Sequence, residues 1–488
     1  MKLEKIFIGN FRGIKNVEIC FNEMVEFLVS NNNVGKTRIL ECINQFYHCT
    51  EEMSVRFTYK ITKEDENEIK DSIKELKQEN LDELFEVTLE NKEYLYKNIK
   101  VKKLIDSKVL GDIIYIPAVS DHNNETDISK TSTSLSKMIS KVLTKNESLT
   151  QQLKDLNQKL SEYIELIKNE SKENLEKLDK EVLFDNIRLE IVDKKFDNSQ
   201  ILKNNLQLKV LEGKNEKSIN ELGTGVQRSI VNSILKYGLD SEKYVLMLYD
   251  EPETFLNVGL QRNLMQDINN NKGNTQYIIA THSPDIIYRN EKIFSSIVKL
   301  NKLEDNIIVK QFNEDKYVEL INKTNNELKS IDKDYIYLLK TNINETILAW
   351  WDRNRINALF ENRILIVEGP TEEIFIDMVC KEKYIPYISA IGKFLIPYFK
   401  ILFQDIFGIE ICCIYDKDNT SNIDHKVQNE YIQKNIESSF MLETEFETFL
   451  GYSATERKPQ TFLHKYFNNE IEIDKLEKLK EEIYGFFN

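Results

Sequence analysis

The sequence predicts an α/β protein built from two successive parallel-sheet units, and three observations carry that prediction. An apolar run, "VEFLVS", feeds the loop "SNNNVGKT" (Ser30 to Thr37) and then the helical text "KTRILECINQFY". Two further apolar runs, "YVLMLYDEPE" and "QYIIATHSPDII", have the character of central parallel strands that end in polar side chains. After about residue 355 strand motifs start again, with "NRILIVEGPTEEIFI" and later "IEICCIYDKDN".

The 488 residues leave room for several domains, each with its own core. A hydrophobic content of 41% and an aromatic content of 10% exclude a disordered chain. No apolar run is long enough to span a bilayer, so no membrane partner is expected. The start, "MKLEKIFIGNFRGIK", lacks the apolar stretch and small-residue cleavage site of a signal peptide. None of the six cysteines forms a CxxC pair, which points to a reduced, cytoplasmic protein without structural zinc. The net charge of -15 weighs against nucleic acid as a partner. It does not exclude DNA, because phosphate contacts depend on local patches and a metal-using nuclease needs clustered carboxylates.

Along the chain, "KIFIGNF" and "VEICFN" precede the "VEFLVS" strand. Residues 63 to 85 are charged and helical, "FEVTLENKEYLY" has the pattern of a hairpin, and "DIIYIPA" is a buried strand ending at Pro117. Leu149, Leu153, Leu156, Leu160, Ile164 and Ile167 then recur at spacings near a heptad seam. That seam is either a helical arm that pairs with a second copy or an antiparallel hairpin packed on its own domain. "NNLQLKVLE" returns to strand.

The loop "SNNNVGKT" departs from the phosphate-loop pattern G-x-x-x-x-G-K-[ST] at its first position, where Ser30 stands. Serine is small, and asparagine tolerates left-handed backbone well, so Asn31 to Asn33 can supply the turn. Asn33, Gly35, Lys36 and Thr37 are the expected phosphate contacts, with the Thr37 hydroxyl on Mg²⁺. Asp250 would hold Mg²⁺ through water, and Glu251 would polarise the attacking water. His282 is placed to sense a γ-phosphate. Gly223, Thr224 and Gly225 precede a helix expected near Val226, and small residues at a helix start suit an anion. Taken singly, each feature reads equally well as an ordinary turn, a strand-end acidic pair or a core histidine.

In the second unit, Glu368 ends a strand, Gly369 and Pro370 turn, and Glu372 falls in the first helical turn. Asp416 and Asp418 close a later strand, and alternation sets them on one side with Lys417 on the other. Carboxylates at the C-terminal ends of parallel strands converge where open α/β sheets bind ligands. Hard oxygen donors in this number suit Mg²⁺ or Mn²⁺, and two such ions about 4 Å apart activate water on a phosphodiester. The competing reading makes Glu372 a helix cap and the DxD a polar strand end.

The order loop, glycine turn, Asp-Glu, His resembles the ABC-type ATPases of the SMC- and RecF-like branch, where "NFRGIKNVEICF" is also at home. That resemblance implies that Gly223 to Gln227 act across a dimer; no segment is assigned to the family's glutamine loop. E-G-x-x-E followed by a strand and DxD resembles the Toprim domain, with "AIGKFLI" as the strand-turn element between them. It implies that Glu368 is an acid/base or metal carboxylate and that Glu372, Asp416 and Asp418 bind metal. An ABC-type ATPase followed by Toprim resembles the OLD (overcoming lysogenization defect) family nucleases over nearly the whole chain. From that resemblance, "LETEFETFL" offers Glu445 and Glu447 as second-metal ligands, Glu447 being preferred, and Lys458 stabilises charge on the scissile phosphate. The implied boundaries are 1–120 and 189–320 for the ATPase, 121–188 for an inserted helical dimerisation arm, 321–355 for a connector and 356–488 for Toprim.

The implied activity is ATP-regulated, metal-dependent DNA cutting in anti-phage defence, with ATP and Mg²⁺ or Mn²⁺ as cofactors. The implied partners are DNA, further copies of the chain (dimer or tetramer) and a second defence-system protein as a candidate. The runner-up is an SMC-like ATP-dependent clamp whose Toprim unit docks a partner. Topoisomerase and primase rank below both: no tyrosine has the context of a nucleophile, and too little chain follows residue 355 for a polymerase scaffold.

Overall fold

Alternating apolar residues at the start of the chain build an antiparallel outer sheet. Strands β1 (Lys2–Phe11) and β2 (Ile14–Cys20) pair through a turn in which Arg12 and Gly13 take positive φ. Strand β3 (Val25–Val29) is buried at every residue and leads through the Ser30–Gly35 loop into helix α1 (Lys36–His48). Strand β4 (Ser54–Lys60) returns along β1 and is followed by α2 (Lys63–Ser72), whose start is fixed by a Thr62–Asp65 capping box. β5 (Leu84–Glu90), β6 (Glu93–Tyr96) and β7 (Ile99–Lys100) complete the order β2-β1-β4-β5-β6-β7. The helical text after residue 63 thus ends at Ser72, with one more 3₁₀ turn at Lys74–Leu76. Phe85, Val87 and Leu89 are buried with a period of two, and that periodicity makes residues from Leu84 onward a strand.

β8 (Asp112–Ile116) is an outer strand of the parallel core to which β3 also belongs. β9 (Asn186–Ile191), β10 (Leu206–Glu212) and β11 (Asn215–Ser218) form a separate antiparallel sheet in the order β11-β10-β9. β12 (Val245–Asp250), helix α3 (Val258–Asn270) and β13 (Thr275–Ala280) follow. Four strands lie parallel in the order β3-β13-β12-β8, and β12 and β13 are buried along their whole length. Buried Gln276 joins this core to the outer sheet: it accepts from Leu3 N–H at 3.0 Å and the Tyr244 hydroxyl at 2.6 Å. Its amide donates to the carbonyls of Leu3 and Asn22 at 2.8 and 2.7 Å, so every polar atom of the side chain is satisfied. Phe46 of α1 stacks on Phe57 of β4 with ring centroids 3.7 Å apart.

The computed structural model describes residues 1–49, 51–118, 186–191, 206–212, 215–218, 221–227, 230, 244–270, 274–287, 293–304, 306–343, 348–418, 421–453 and 457–488. The expected arm with its seam from Leu149 to Ile167 lies outside the described residues. Two compact units emerge, Met1–Leu28 with Gly35–Ile286, and Val29–Val34 with Ile287–Asn488.

In the second unit, β14 (Ile297–Leu303) and β15 (Asn306–Gln311) form a hairpin, and helix α4 (Glu314–Ile331) starts at an Asn313 cap. Lys299 of β14 is wholly buried and donates to the carbonyls of Leu359 and Glu361 at 2.6 and 2.9 Å. Then come β16 (Arg363–Val367), α5 (Pro370–Val379), β17 (Tyr387–Ser389), β18 (Glu410–Asp416), α6 (Ile423–Asn435) and β19 (Ser438–Leu442). The short helix α7 (Phe446–Phe449), α8 (Lys458–Phe467) and α9 (Ile473–Phe487) close the chain. The four strands are parallel in the order β17-β16-β18-β19. Leu365, Cys412, Phe375, Phe446, Phe462, Leu479 and Ile483 share one core on one side of that sheet. Cys412 and Cys413, adjacent in β18, are both fully buried, as both faces of a parallel sheet require.

Candidate functional site

Register explains the first constellation. Leu28 of β3 lies opposite Ala280 of β13, which lies opposite Asp250 of β12. Three strand ends therefore finish level, and the residues just beyond them meet. In the loop after β3, Asn33 and Gly35 take the left-handed positions, with φ of 62° and 127°. Ser30 is buried and outside the left-handed region, and its hydroxyl donates to the Asn31 carbonyl at 2.7 Å. A serine at the first position is accommodated because the strained turns fall on other residues.

Lys36 Nζ and His282 Nε2 are in hydrogen-bond contact. Burial draws the Lys36 ammonium down to about 8, against the opposing pull of Glu251, Asp250 and Glu253. Burial also lowers His282, and the Lys36 charge adds to that. Thr37 Oγ1 donates to Asp250 Oδ1 at 3.2 Å, and the Tyr115 hydroxyl donates to Oδ2 at 3.4 Å. Burial raises Asp250. Glu251 stands at φ 44°, with its carboxylate 4.0 Å from His282 Nε2. Sequence reasoning missed Glu253, which accepts from Thr281 Oγ1 at 2.9 Å and from the His282 N–H at 2.6 Å, fixing the histidine's backbone. Its signal was present as the second glutamate of "DEPE"; Tyr115 had none.

A helical turn begins at Thr224, two residues before the expected start. A Cβ on Gly225 would lie 2.3 Å from the Phe255 carbonyl oxygen, so only glycine fits, while Gly223 faces open space. The Gln227 amide donates to the Leu222 carbonyl at 2.8 Å and closes the turn.

The second constellation gathers at the C-terminal rim of β16, β18 and β19. Val367 lies opposite Ile414, and Asp416 opposite Leu442. Glu368 Oε2 accepts from the Asp416 N–H at 3.1 Å. Glu372, in the first turn of α5, is buried, and so is Glu447 of α7, which accepts from Thr371 Oγ1 at 3.3 Å. Burial raises Glu368, opposed by the Lys393 charge. Burial, then repulsion from Asp416, Glu368 and Glu447, pushes Glu372 up to about 8. Burial and the charges of Glu368, Asp418 and Glu447 push Asp416 up to about 7. Three acids with raised pKa, Glu368, Glu372 and Asp416, thus share one low-dielectric space with further carboxylates beside them.

Asp418 differs from the alternation argument. β18 stops at Asp416, where its ladder with β19 ends, and Asp418 takes left-handed φ 54°. Its carboxylate is held by Lys393 Nζ at 2.6 Å and lies 3.2 Å from His425 Nδ1. Lys393, only 1% exposed, also donates to the Asp416 carbonyl and to Asn429 Oδ1 at 3.2 Å. Lys417 turns to Glu443 at 2.5 Å. Lys458, at the start of α8, bridges Glu445 at 3.0 Å and Glu447 at 3.1 Å. Burial works against its charge, but the hydrogen bonds to these two acids raise its pKa. Glu445 itself is exposed.

Among the described residues no three His, Cys, Asp or Glu side chains stand close enough together to hold one ion. The ammonium groups of Lys393 and Lys458 engage Asp418 and Glu447. The donor chemistry fits a hard divalent cation: Asp416 Oδ1 is buried without a hydrogen-bond partner among the described residues, beside the raised carboxyls of Glu368 and Glu372.

A family model described as "AAA ATPase domain" matches residues 47–287, and one described as "Overcoming lysogenization defect protein-like, TOPRIM domain" matches 359–418. The Old nuclease of Escherichia phage P2 is 22% identical over 429 residues, which is 76% of this chain and 68% of that protein. The chain joins an AAA ATPase domain to an OLD-like Toprim domain, consistent with an ATPase–Toprim protein of the OLD family. The RecF DNA replication and repair protein of Clostridium acetobutylicum matches a shorter stretch, 42% identical over 50 residues, or 10% of this chain and 13% of that protein. Among solved structures, the Smc head bound to the C-winged helix domain of ScpA aligns at TM-score 0.44 and 12% identity, covering 65% of this chain and 99% of that one. The SMC head domain of Thermotoga maritima aligns at TM-score 0.33 and 12% identity, covering 64% and 100%. No helix among the described residues is long and apolar enough to cross a membrane. The Toprim match contains Glu368, Glu372, Lys393, Asp416 and Asp418. Glu447, Lys458 and the Lys393 partner Asn429 lie beyond it, and Asn429 carries no sequence signal, being one polar residue on a polar helix.

Proposed function

We propose that this OLD-family protein is an ATP-binding, divalent-metal-dependent DNA endonuclease in which the Toprim carboxylates cut and the ATPase unit gates. The observation that carries the reading is the group of Glu368, Glu372 and Asp416, each raised by burial and by a neighbouring carboxylate, with a buried Asp416 oxygen lacking a partner among the described residues. Such a group gains most from positive charge. As the side chains stand among the described residues no three acids share one ion, so Glu368, Glu372 and Asp416 would have to draw together to hold Mg²⁺ or Mn²⁺, which when bound would supply Lewis acidity at a phosphodiester. Lys393 fixes Asp418 and the end of β18, and Lys458 offers an ammonium to phosphate oxygens. At the other site Lys36, Thr37 and Asp250 would hold ATP with Mg²⁺, and Glu251 and His282 face the γ-phosphate. The phage P2 relative is a nuclease, which supports the same activity here. Cytoplasmic anti-phage defence by a homo-oligomer is the setting we assign.

The test is cleavage of supercoiled plasmid with Mg²⁺ or Mn²⁺, with and without ATP. Asp416→Ala is expected to lower nicking at least about 100-fold. Lys36→Ala is expected to keep nicking but lose its response to ATP. Undiminished nicking by Asp416→Ala ends the reading. The lysines lodged among the acids favour a second reading, in which the Toprim unit docks a partner for an SMC-like clamp. A calorimetric Mn²⁺ titration showing no binding in the wild type would support that one.

A further inference from the structure

An aromatic shelf runs from solvent to the edge of the Toprim carboxylates. Tyr337 is 55% exposed, and its ring lies 5.4 Å from that of Phe394. Phe394, half-buried, lies 5.7 Å from the His425 ring. His425 Nδ1 lies 3.2 Å from Asp418, whose other partner, Lys393, directly precedes Phe394 in the chain. Exposed Ile391 and Ile423 stand at the start of these same two segments. The shelf is braced from beneath: Tyr335 is buried, its ring 6.4 Å from that of Tyr337, and its hydroxyl accepts from the Gln428 amide.

Exposed aromatic rings cost free energy in water unless something covers them. Here they are continuous, through His425 and Asp418, with a centre read as a phosphodiester site. On a chain of net charge -15, stacking is also the mode of nucleic-acid contact that least needs basic residues. We propose that Tyr337 and Phe394 stack an unpaired base of the strand whose phosphate enters the Toprim site, which makes the substrate DNA with a single-stranded or unstacked segment. The proposal rests on the endonuclease reading and names its substrate class. A base inside an intact duplex presents no free face to the shelf, so duplex alone engages it poorly.

The experiment measures binding in EDTA, where no cutting occurs, of a single-stranded oligonucleotide carrying 2-aminopurine and of the same sequence as a duplex. Wild type is expected to bind the single strand more tightly and to change the 2-aminopurine emission. Tyr337→Ala should weaken single-strand binding roughly 5- to 100-fold, with a lesser effect on duplex, while Tyr337→Phe retains it. Because Tyr337 is exposed, its replacement leaves the fold intact, and Phe394→Ala serves as the second variant. Equal single-strand affinity for wild type and Tyr337→Ala, or no emission change in the wild type, overturns the proposal. Plasmid nicking by the same preparations separates the two ideas. Nicking without a Tyr337 effect sinks the shelf alone, and a Tyr337-dependent stack without nicking sinks the endonuclease alone.

Discussion

At the scale of single residues, burial decides the chemistry. Glu26 of β3 is a carboxyl in a strand buried at every position, accepting from the Asn22 N–H at 2.9 Å and the Asn22 amide at 3.0 Å. Its other oxygen has no hydrogen-bond partner among the described residues, and burial pushes its pKa up to about 8. A carboxyl raised from its ordinary value of 4.5 binds its proton more tightly folded than unfolded. Its contribution to stability is therefore full below about pH 4.5 and is lost as pH rises to about 8. Glu26→Gln should match wild type near pH 5 and exceed it at pH 9 by on the order of 2–4 kcal/mol in urea melts. A difference constant across that range would show an ordinary carboxyl. This residue was invisible in the sequence, where "VEFLVS" reads as apolar with one stray acid. The grouping of Lys36, Thr37 and Asp250 was legible because the phosphate-loop pattern fixes both residue type and spacing. Lys393 was legible as a position in a strand-turn element but not as the ammonium that holds Asp418, because its partner arrives from 25 residues downstream.

At the scale of elements, the level ends of β3, β12 and β13 turn three separate motifs into one constellation. The sequence displayed those strands as apolar runs, and their parallel register could be inferred from the polar residue closing each one. The extent of the helix after residue 63 was less legible, because charge continues past Ser72 while the alternation that makes β5 starts only at Leu84. The stray end of the DxD was also hidden. Alternation holds only while a ladder continues, and β18 runs out of partner at Asp416. Lys299 of β14 places its ammonium on two carbonyls in a site with no access to water. Lys299→Met would strand both carbonyls, and about 2 kcal/mol of stability should be lost in chemical denaturation. A melt unchanged by that substitution would mean that the carbonyls find other donors.

At the scale of the whole molecule, the chain carries two phosphate-handling centres of the same physical kind, each at the C-terminal rim of a parallel sheet. Their order along the chain was readable because each has its own strand-loop-helix punctuation, whereas the helical seam from Leu149 to Ile167 lies outside the described residues. The two centres differ in how they treat charge. The ATPase centre sets one lysine against Asp250, Glu251 and Glu253, and a triphosphate would bring more negative charge to it. The Toprim centre keeps an ammonium sealed among its acids, since Lys393 spans the Asp416 carbonyl and Asp418. A resident cation of this kind means that the domain need not wait for a metal in order to fold, unlike small zinc modules that collapse when stripped. Protein dialysed against EDTA should melt within about 3 °C of untreated protein. On the proposed function, such a protein can be made, stored and kept silent in a metal-poor setting, ready to respond as soon as a divalent ion and a suitable strand arrive together.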